Sequence, residues 1–485
     1  MKLGEILRDI DFKSGAYDST LLVNDVVYDS RKASENTVFV CIKGFQVDGH
    51  SFAQDAYRRG TRIFAVEHDI TLPSDAIIIK VENTRRLLAL ASANLFGRPA
   101  EKLNIIAITG TKGKTSTSFM LKSIYEAAGH KVGVIGSTGV YIGEERFDID
   151  NSTPESYLLH KFFRMMLDAG CDTAVIEATS QGFKLDRTYG IRFRTGIFTN
   201  LSPDHIGAAE HSDFAEYLAC KKMIFDQSDK MVVNLDSDHY AEITKSANCD
   251  IFTFGKTGAD YCFENPRFTT GSNRLKTVFT ACDHGEKHEI DLNTPGYFSL
   301  YNATSAIAAA RLDGIGFDAI KTGLSSAFVK GRMEIVPVDK DYTVIIDFAH
   351  NEFSVKNLFD TMRLYSPKRI ISVFGCGGNR SKLRRYSMGE VIGRSSDLSV
   401  ITSDNSRYEN VEDIIADILV GMKKTDGKYV VIPDRRKAIK AALEEAKEGD
   451  VVLLIGKGHE MYEEINGEKL PFDERQVVRE ALGIN

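Results

Sequence analysis

The sequence predicts an α/β protein of three consecutive domains, and three observations carry that reading. Short apolar runs alternate with helical stretches: NIIAITG, KVGVIGS, DTAVIEA and RTGIFTN in the middle of the chain, TVIIDFA, RIISVFG, LSVITSD and DVVLLIG toward its end. That alternation is the mark of parallel sheets covered by helices on both faces. The 485 residues also exceed one core at ~100–200 residues per domain. Finally, Gly97 and Pro99 in FGRPAEKL punctuate the end of a first block, and a third block opens near Gly331. The expected domains are residues 1–98, 99–330 and 331–485.

In the first block LLV, TVFVCI, RIFAVE and AIIIKV read as strands of a small α/β module. The second opens with a strand, a glycine turn and an amphipathic helix from Thr115. Over residues 251–292 the runs IFTFG, LKTVFTACD and KHEIDL alternate like an antiparallel annex, followed by the helix LYNATSAIAAARLDGI. The third block, with KYVVIPD completing its strands, reads as a Rossmann-like, doubly wound sheet. Such sheets bind ligands beyond the carboxyl ends of their strands. Four strand ends here are polar: Asp347 with His350, Gly375 to Arg380, Asp404 to Arg407, and Gly456 to Glu460. One such tip arises by chance; four from one sheet suggest a built site.

The net charge of −7 offers no basic surface for nucleic acid. No apolar stretch nears the ~20 residues that span a bilayer, so no membrane insertion is expected. The N-terminus MKLGEILRDIDFKS lacks an apolar h-region, and a cytoplasmic protein is expected. Seven scattered cysteines, none in a C-x-x-C pair, read as free thiols.

The strongest local signal is AITGTKGKTS, residues 107–116. A strand ends at Thr109, and Gly110, Thr111, Lys112 and Gly113 form a turn whose N–H groups can face a phosphate. Lys114 can reach terminal phosphates, the Thr115 hydroxyl can meet Mg²⁺, and Ser116 continues the helix N-terminus. Two residues separate Gly110 from Gly113, where the usual P-loop has four before its Gly-Lys. ATP is the default nucleotide. A P-loop alone leaves kinases, switches, motors and ligases open. Glu177, at the end of DTAVIEA, can hold Mg²⁺ or be a solvated carboxylate. TNLSPDH supplies Asn200, Asp204 and His205; His205 alone reads as an ordinary histidine, but with Glu177 and Thr115 it suggests a cation site. Lys221 and Lys222 in YLACKKMIF read by themselves as a solvated helix face, and Arg187 as a helix-surface arginine.

GTKGKTS, EATSQ, TNLSPDH, YNATSA, GRME and DFAH, in that order, resemble the signatures of the Mur ligases. These are ATP-dependent amide-forming enzymes of peptidoglycan precursor synthesis. The resemblance covers the whole chain. YDSRKA, KGFQVDGH, NSTPES, GCGGNR, DNSR, GKGHE and FDER resemble the branch that adds a diamino acid to UDP-MurNAc-L-Ala-D-Glu. The resemblance implies a first domain for the UDP end of the precursor, a central one for ATP and a third for the incoming amino acid. It implies that Lys114 stabilises the transferring phosphate, that Thr115 and Glu177 bind one Mg²⁺, and that His205 binds a second. It also implies a CO₂-derived carbamate on a lysine of YLACKKMIF, which alignment through the Tyr and Phe places at Lys221. An ammonium cannot ligate Mg²⁺, whereas a carbamate is an anionic oxygen donor. By the same resemblance Asn302, Arg332, Asp347 and His350 attend the nucleotide. Ser30, Ser152, Thr153, Thr179 and Arg187 attend the UDP-linked dipeptide.

Departures from the family pattern are Thr179 for a serine, Ser299 for an asparagine, NEFSVKN after the histidine, and DNSR for DNPR. A folylpolyglutamate synthase-like ligase shares the central architecture, but YDSRKA and KGFQVDGH argue for the UDP-sugar module. A P-loop phosphotransferase is weaker, given the carbamylation-competent Lys221 and the polar tips of the third sheet, and so is a non-catalytic scaffold, since Lys114, Glu177 and His205 are all present. At the DNSR tip Arg407 suits a carboxylate, Asp404 an ammonium and Asn405 a carboxylate. Arg380, Ser406, Gly456 and Glu460 complete the expected amino-acid site. meso-Diaminopimelate carries a carboxylate and an amine at its far end and L-lysine only the amine, so the arginines favour diaminopimelate over lysine. Monomeric action on these small molecules is the expectation.

Overall fold

The computed structural model describes residues 1–484 other than 45–46, 204–205, 208–209, 246 and 272–273. Two compact units divide the chain: residues 1–262 with 304–323, and residues 263–303 with 324–485. Among the described residues no helix is long and apolar enough to cross a membrane.

The first unit opens with a parallel sheet of β1 (Asp25–Val27), β2 (Thr37–Val40), β3 (Ile63–Val66) and β4 (Ile77–Lys80), in that order. The helix Thr84–Leu95 covers it, started by Asn83, whose side chain accepts from the N–H groups of Arg85 and Arg86. The run LLV forms no strand. Asp18 holds Thr20 in a turn just before it, and Leu22 makes only an isolated bridge to Lys2.

A larger sheet follows: β5 (Asn104–Thr109), β6 (Val132–Gly136), β7 (Gly139–Ile142), β8 (Glu145–Phe147), β9 (Thr173–Glu177), β10 (Phe193–Phe198), β11 (Ser228–Asn234) and β12 (Asp250–Gly255). Its order is β12-β11-β10-β5-β9-β6-β7-β8, parallel up to β6 and antiparallel beyond. β5, β6 and β9 are buried on both faces, as interior parallel strands must be. The expected antiparallel annex needs one correction. IFTFG is β12 and runs parallel to β11, in register from Lys230↔Asp250 to Asn234↔Phe254.

The annex itself is β13 (Tyr261–Gly271), β14 (Arg274–Asp283) and β15 (Glu286–Leu292), with β14 and β15 antiparallel. β13 was not among the expected strands. In the second unit Leu275 of β14 joins a core containing Phe359, Met362 and Tyr365, and the Thr277 hydroxyl lies 2.6 Å from the Tyr365 hydroxyl.

The second unit's main sheet comprises β16 (Glu334–Val336), β17 (Thr343–Asp347), β18 (Ile370–Phe374), β19 (Leu398–Ile401), β20 (Tyr429–Val431) and β21 (Val451–Ile455). Its order is β16-β17-β21-β18-β19-β20, parallel apart from β16. The carboxyl ends of β17, β21, β18 and β19 therefore lie side by side. A hairpin of β22 (Tyr462–Ile465) and β23 (Glu468–Pro471), absent from the sequence reading, follows β21.

Candidate active site

The loop after β5 is shaped by two glycines. Gly110 has φ +139°, and a Cβ there would lie 2.0 Å from the Thr199 hydroxyl; Gly113, at φ +90°, begins the helix Lys114–Ala127. The end of β10 clamps the same loop. Asn200 accepts the Lys112 N–H at 2.9 Å and returns its own amide to the Lys112 carbonyl at 3.0 Å. Thr199 donates to the Lys112 carbonyl at 2.7 Å, and the Thr111 hydroxyl lies 3.0 Å from that of Tyr217. Lys114 folds its ammonium back over the loop, onto the carbonyls of Gly110 at 2.9 Å and Thr111 at 3.2 Å. Ser116 sits half-buried in the first turn of the helix.

Thr115 and Glu177 meet: the threonine hydroxyl donates to Oε1 at 2.8 Å, and Ser137 adds its N–H at 3.0 Å. Glu177 is only 2% exposed, so it is not a solvated loop carboxylate. A Cβ on Gly136 would lie 2.3 Å from Oε1, so the bare backbone there makes room for the carboxylate. His205 and Asp204 lie outside the described residues.

The two lysines of YLACKKMIF separate cleanly. The helix Phe214–Gln227 starts at Asp213, which accepts the Glu216 N–H, and buries Tyr217, Lys221 and Phe225 on one face, four residues apart. Lys221 is 2% exposed, donates to the Gly110 carbonyl at 2.9 Å and sits 4.7 Å from the Tyr217 ring centre. Lys222 points outward, to the carbonyls of Glu242 and Lys245. The solvated-face reading holds for Lys222 and fails for Lys221. A hydroxyl, a buried carboxylate and a buried amine thus crowd one phosphate loop, a donor set that fits Mg²⁺ once the amine bears a carboxylate.

Behind Glu177, Thr153 ties the next group together. Its hydroxyl donates to the Glu177 carbonyl at 2.8 Å, lies 2.9 Å from the Thr179 hydroxyl and accepts the Thr179 N–H at 3.0 Å. Ser152 is the half-buried residue just before it. Thr179 also caps the short helix Ser180–Lys184. Arg187 is buried, not a surface arginine; it donates to the Thr153 carbonyl at 2.8 Å. Glu155 lies between Arg187, at 3.6 Å, and Arg85, at 3.2 Å. Burial pulls the Arg187 guanidinium below its ordinary range while Glu155 opposes the shift. Glu155, which the sequence reading missed, also lines a cavity of ≈ 820 Å³ with Ser30, Tyr28, Arg31 and Arg59. Asp29 caps the turn that carries Ser30 and pairs with Arg31 at 2.8 Å.

Nearby, Asp48, His50 and His68 bring ligand-type atoms within 4.8 Å of one another. His50 Nε2 accepts the Glu67 N–H at 3.0 Å, so the ring proton sits on Nδ1, 2.6 Å from Asp48. Both ring nitrogens of His50 are therefore occupied within the fold.

In the second unit the four polar strand ends do border one cavity, of ≈ 230 Å³. His350 comes from β17, Arg380 and Arg384 from beyond β18, Asp404, Asn405 and Arg407 from beyond β19, and Gly456 and Glu460 from beyond β21. Ser406 is buried but lines a different cavity, behind the tip. Asn405 does not present a free amide to this cavity: Glu460 takes its Nδ2 at 2.8 Å, and Lys457 and the Glu464 N–H both reach its Oδ1 at 2.9 Å. Both ends of the side chain are thus engaged in pinning the tip.

Burial depresses the Arg380 guanidinium, with Arg407 and Arg384 adding to the shift, so the cavity favours an anion. Burial raises the Glu460 carboxyl, and Asp404 pushes it further against Lys457. Gly456 has φ +118°, and a Cβ there would lie 2.6 Å from Asp404 Oδ2. Asp347 accepts the N–H groups of Met333 and Ala349, both at 2.8 Å, while burial raises its carboxyl against the pull of Arg332. Arg332 stacks over Phe348 with 4.9 Å to the ring centre, and His350 lies 2.9 Å from the Phe348 carbonyl. Asn302 sits half-buried on the helix Tyr297–Leu312. Arg384, displayed in SKLRR, and Lys457, inside GKGHE, add two further cations at these tips.

Comparison with known proteins decides the family. The Mur ligase family catalytic domain matches residues 23–95, the Mur ligase middle domain residues 108–310, and the Mur ligase glutamate ligase domain residues 331–458. A relative from Clostridium perfringens, a UDP-N-acetylmuramoyl-L-alanyl-D-glutamate–2,6-diaminopimelate ligase, is 40% identical over 491 residues, covering 99% of each chain. The chain belongs to the Mur ligase family. This Mur ligase has the family's three-domain α/β architecture. An Aquifex aeolicus relative of the same name is 39% identical over 463 residues, covering 95% of this chain and 94% of its own. A solved structure of such a diaminopimelate ligase superposes with a TM-score of 0.74 at 26% identity, covering 100% of this chain and 99% of that one. The Mur ligase MurF from Thermotoga maritima, solved with ADP, shares the fold with a TM-score of 0.60 at 19% identity, over 95% and 97% of the two chains.

Proposed function

We propose that this Mur ligase has the MurE activity: it joins meso-2,6-diaminopimelate to the D-glutamyl γ-carboxylate of UDP-MurNAc-L-Ala-D-Glu. Full-length identity of 40% to a ligase named for that reaction supports the reading most directly. The arginines around the second unit's cavity support the choice of a diamino acid bearing an extra carboxylate. L-Lysine, lacking that carboxylate, would leave them unanswered.

A carboxylate resists attack by an amine because oxide is a poor leaving group. ATP with Mg²⁺ supplies the chemistry that removes this obstacle. The γ-carboxylate accepts the γ-phosphoryl group as an acyl phosphate with ADP departing, and the amine nitrogen then attacks the carbonyl carbon and expels phosphate. The protein's own groups hold and neutralise charge. Lys114 leaves its loop carbonyls to meet the transferring phosphate. Thr115 and Glu177 hold one Mg²⁺, His205 a second, and a carbamate on Lys221 completes the set. Asn302, Arg332, Asp347 and His350 attend the nucleotide. Ser30, Ser152, Thr153, Thr179 and Arg187 position the UDP-linked dipeptide, with Glu155 bracing Arg187. Arg380, Asp404, Arg407, Gly456 and Glu460 receive the amino acid, braced by Asn405 and Ser406.

We assign residues 1–98, 99–330 and 331–485 to the UDP-precursor, nucleotide and amino-acid domains. We place a monomer in the cytoplasm, where ATP and UDP-linked precursors are made. The test is ADP release and product mass with meso-diaminopimelate, L-lysine and related diamino acids offered side by side. Equal ADP release with either co-substrate left out would overturn the reading.

A further inference from the structure

Arg407 adopts a backbone conformation that arginine avoids. Its φ is +52°, in the left-handed region where an L side chain is strained. Such conformations persist only where the surroundings over-determine them, and they concentrate at functional sites. The restraints here come mostly from one place, the hairpin β22–β23. The Arg407 N–H donates to the Glu464 carbonyl at 2.9 Å, and the Asn466 N–H donates to the Arg407 carbonyl at 2.5 Å. The side chain is tied as well: Nε donates to Glu464 Oε2 at 3.2 Å and Nη1 to the Gly378 carbonyl at 2.7 Å. The Glu464 N–H also donates to Asn405 Oδ1 at 2.9 Å, so the same residue grips two members of the tip. With Nε and one Nη1 hydrogen committed, the outer edge of the guanidinium fork remains for the cavity that Arg407 lines. Both partners are only a quarter exposed or less, so water does not dissolve the pair.

We propose that Glu464 is a positioning residue that aims Arg407 into the amino-acid cavity, and that the hairpin sets selectivity for a carboxylate at the far end of the incoming diamino acid. The proposal rests on the diaminopimelate reading above. Glu464 touches no substrate in it. Removing its carboxylate frees Nε, lets the guanidinium swing, and weakens the grip on the ligand's carboxylate.

The experiment compares E464A, E464Q and E463A with the unaltered full chain, measuring kcat and KM for meso-diaminopimelate, L-lysine and ATP together with thermal unfolding. Glu463 belongs to the same hairpin but bonds Ser403 instead. E464A is expected to raise KM for diaminopimelate about tenfold, with kcat and the KM for ATP within about twofold, and to narrow the preference for diaminopimelate over lysine by a similar factor. E464Q, which keeps an acceptor for Nε, is expected to recover most of the loss, and E463A to match the unaltered chain. Should E464A fail to fold, E464M, which keeps the side-chain stem, carries the same test. An unchanged diaminopimelate KM, or a parallel rise in the KM for ATP, would overturn the proposal. If the unaltered chain does not use diaminopimelate at all, the functional reading itself falls, which is a separable result.

Discussion

Lys221→Met separates the structural from the chemical role of the buried lysine. Methionine keeps an unbranched stem of similar length on the face shared with Tyr217 and Phe225, so little volume is lost. The losses include the ammonium's bond to the Gly110 carbonyl, a charge-assisted hydrogen bond worth ~1.5–3 kcal/mol, and its contact over the Tyr217 ring. Against that, a 2% exposed cation no longer needs to be desolvated, which returns a similar amount. The net change in stability should lie within ~2 kcal/mol of zero. Activity should behave differently. If the amine carries the carbamate that completes the metal site, losing it should cut kcat by at least about a hundredfold, the scale of losing one preorganised electrostatic group. Added bicarbonate should not restore it. Lys222→Met is the internal control: its ammonium caps two exposed carbonyls, so it should cost no more than ~1 kcal/mol and leave kcat intact. Steady-state ligation and urea unfolding on both variants check the pair. A Lys221→Met enzyme within tenfold of full activity, or a dead Lys222→Met enzyme, would refute the assignment.

Three further expectations follow from single contacts. His160 is buried with neither ring nitrogen partnered among the described residues, and burial pulls it down to about 4. The unfolded chain then takes up a proton that the fold refuses. Stability should therefore fall by up to ~3 kcal/mol as pH drops from about 6.5 to about 4, and His160→Met should flatten that slope in urea titrations across the window. A Cβ at Gly378 would lie 1.9 Å from the Ser406 carbonyl, so Gly378→Ala should destabilise by ~1–3 kcal/mol and raise the diaminopimelate KM by displacing the tip, read by unfolding and kinetics on one sample. Arg407→Ala should cost about 10–100-fold in kcat/KM for diaminopimelate and little for lysine; diaminopimelate use left untouched, with lysine use no better, would contradict the tip's assigned role.

The parallel strands and the glycine turn between β5 and its helix were legible because their signal is local. Apolar runs bounded by glycine turns give β5, β9, β17 and β21, and the four polar tips gather where doubly wound topology requires. What escaped was non-local or non-periodic. β23 is exposed along its whole length, so its residues carry no alternation to detect. Asn405 looked like a ligand-reading amide because its partners stand 52, 55 and 59 residues away at Lys457, Glu460 and Glu464. Glu155 was equally silent, since its meaning comes from Arg85 in the preceding domain. Lys221 and Lys222 are adjacent and chemically identical. Only the helix face, fixed by packing under the phosphate loop, tells them apart.

The serine of DNSR stands where the family pattern has proline. Proline would pre-set the turn and lower the entropy of the unfolded chain, by ~0.5–1 kcal/mol where the native geometry accepts it. Ser406 has no acceptor for its N–H among the described residues, so a proline there gives up no hydrogen bond. Ser406→Pro should therefore stabilise the chain by about that amount. The catalytic consequence should be nil. Arg407 is already held through Glu464, Asn466 and Gly378, so a stiffer residue 406 has little left to order. Urea midpoints and the diaminopimelate KM, measured together on Ser406→Pro, decide the matter. A higher midpoint with KM inside about twofold is the expected pair. A several-fold drop in KM would mean the tip is loose without proline, and that the hairpin does not hold it.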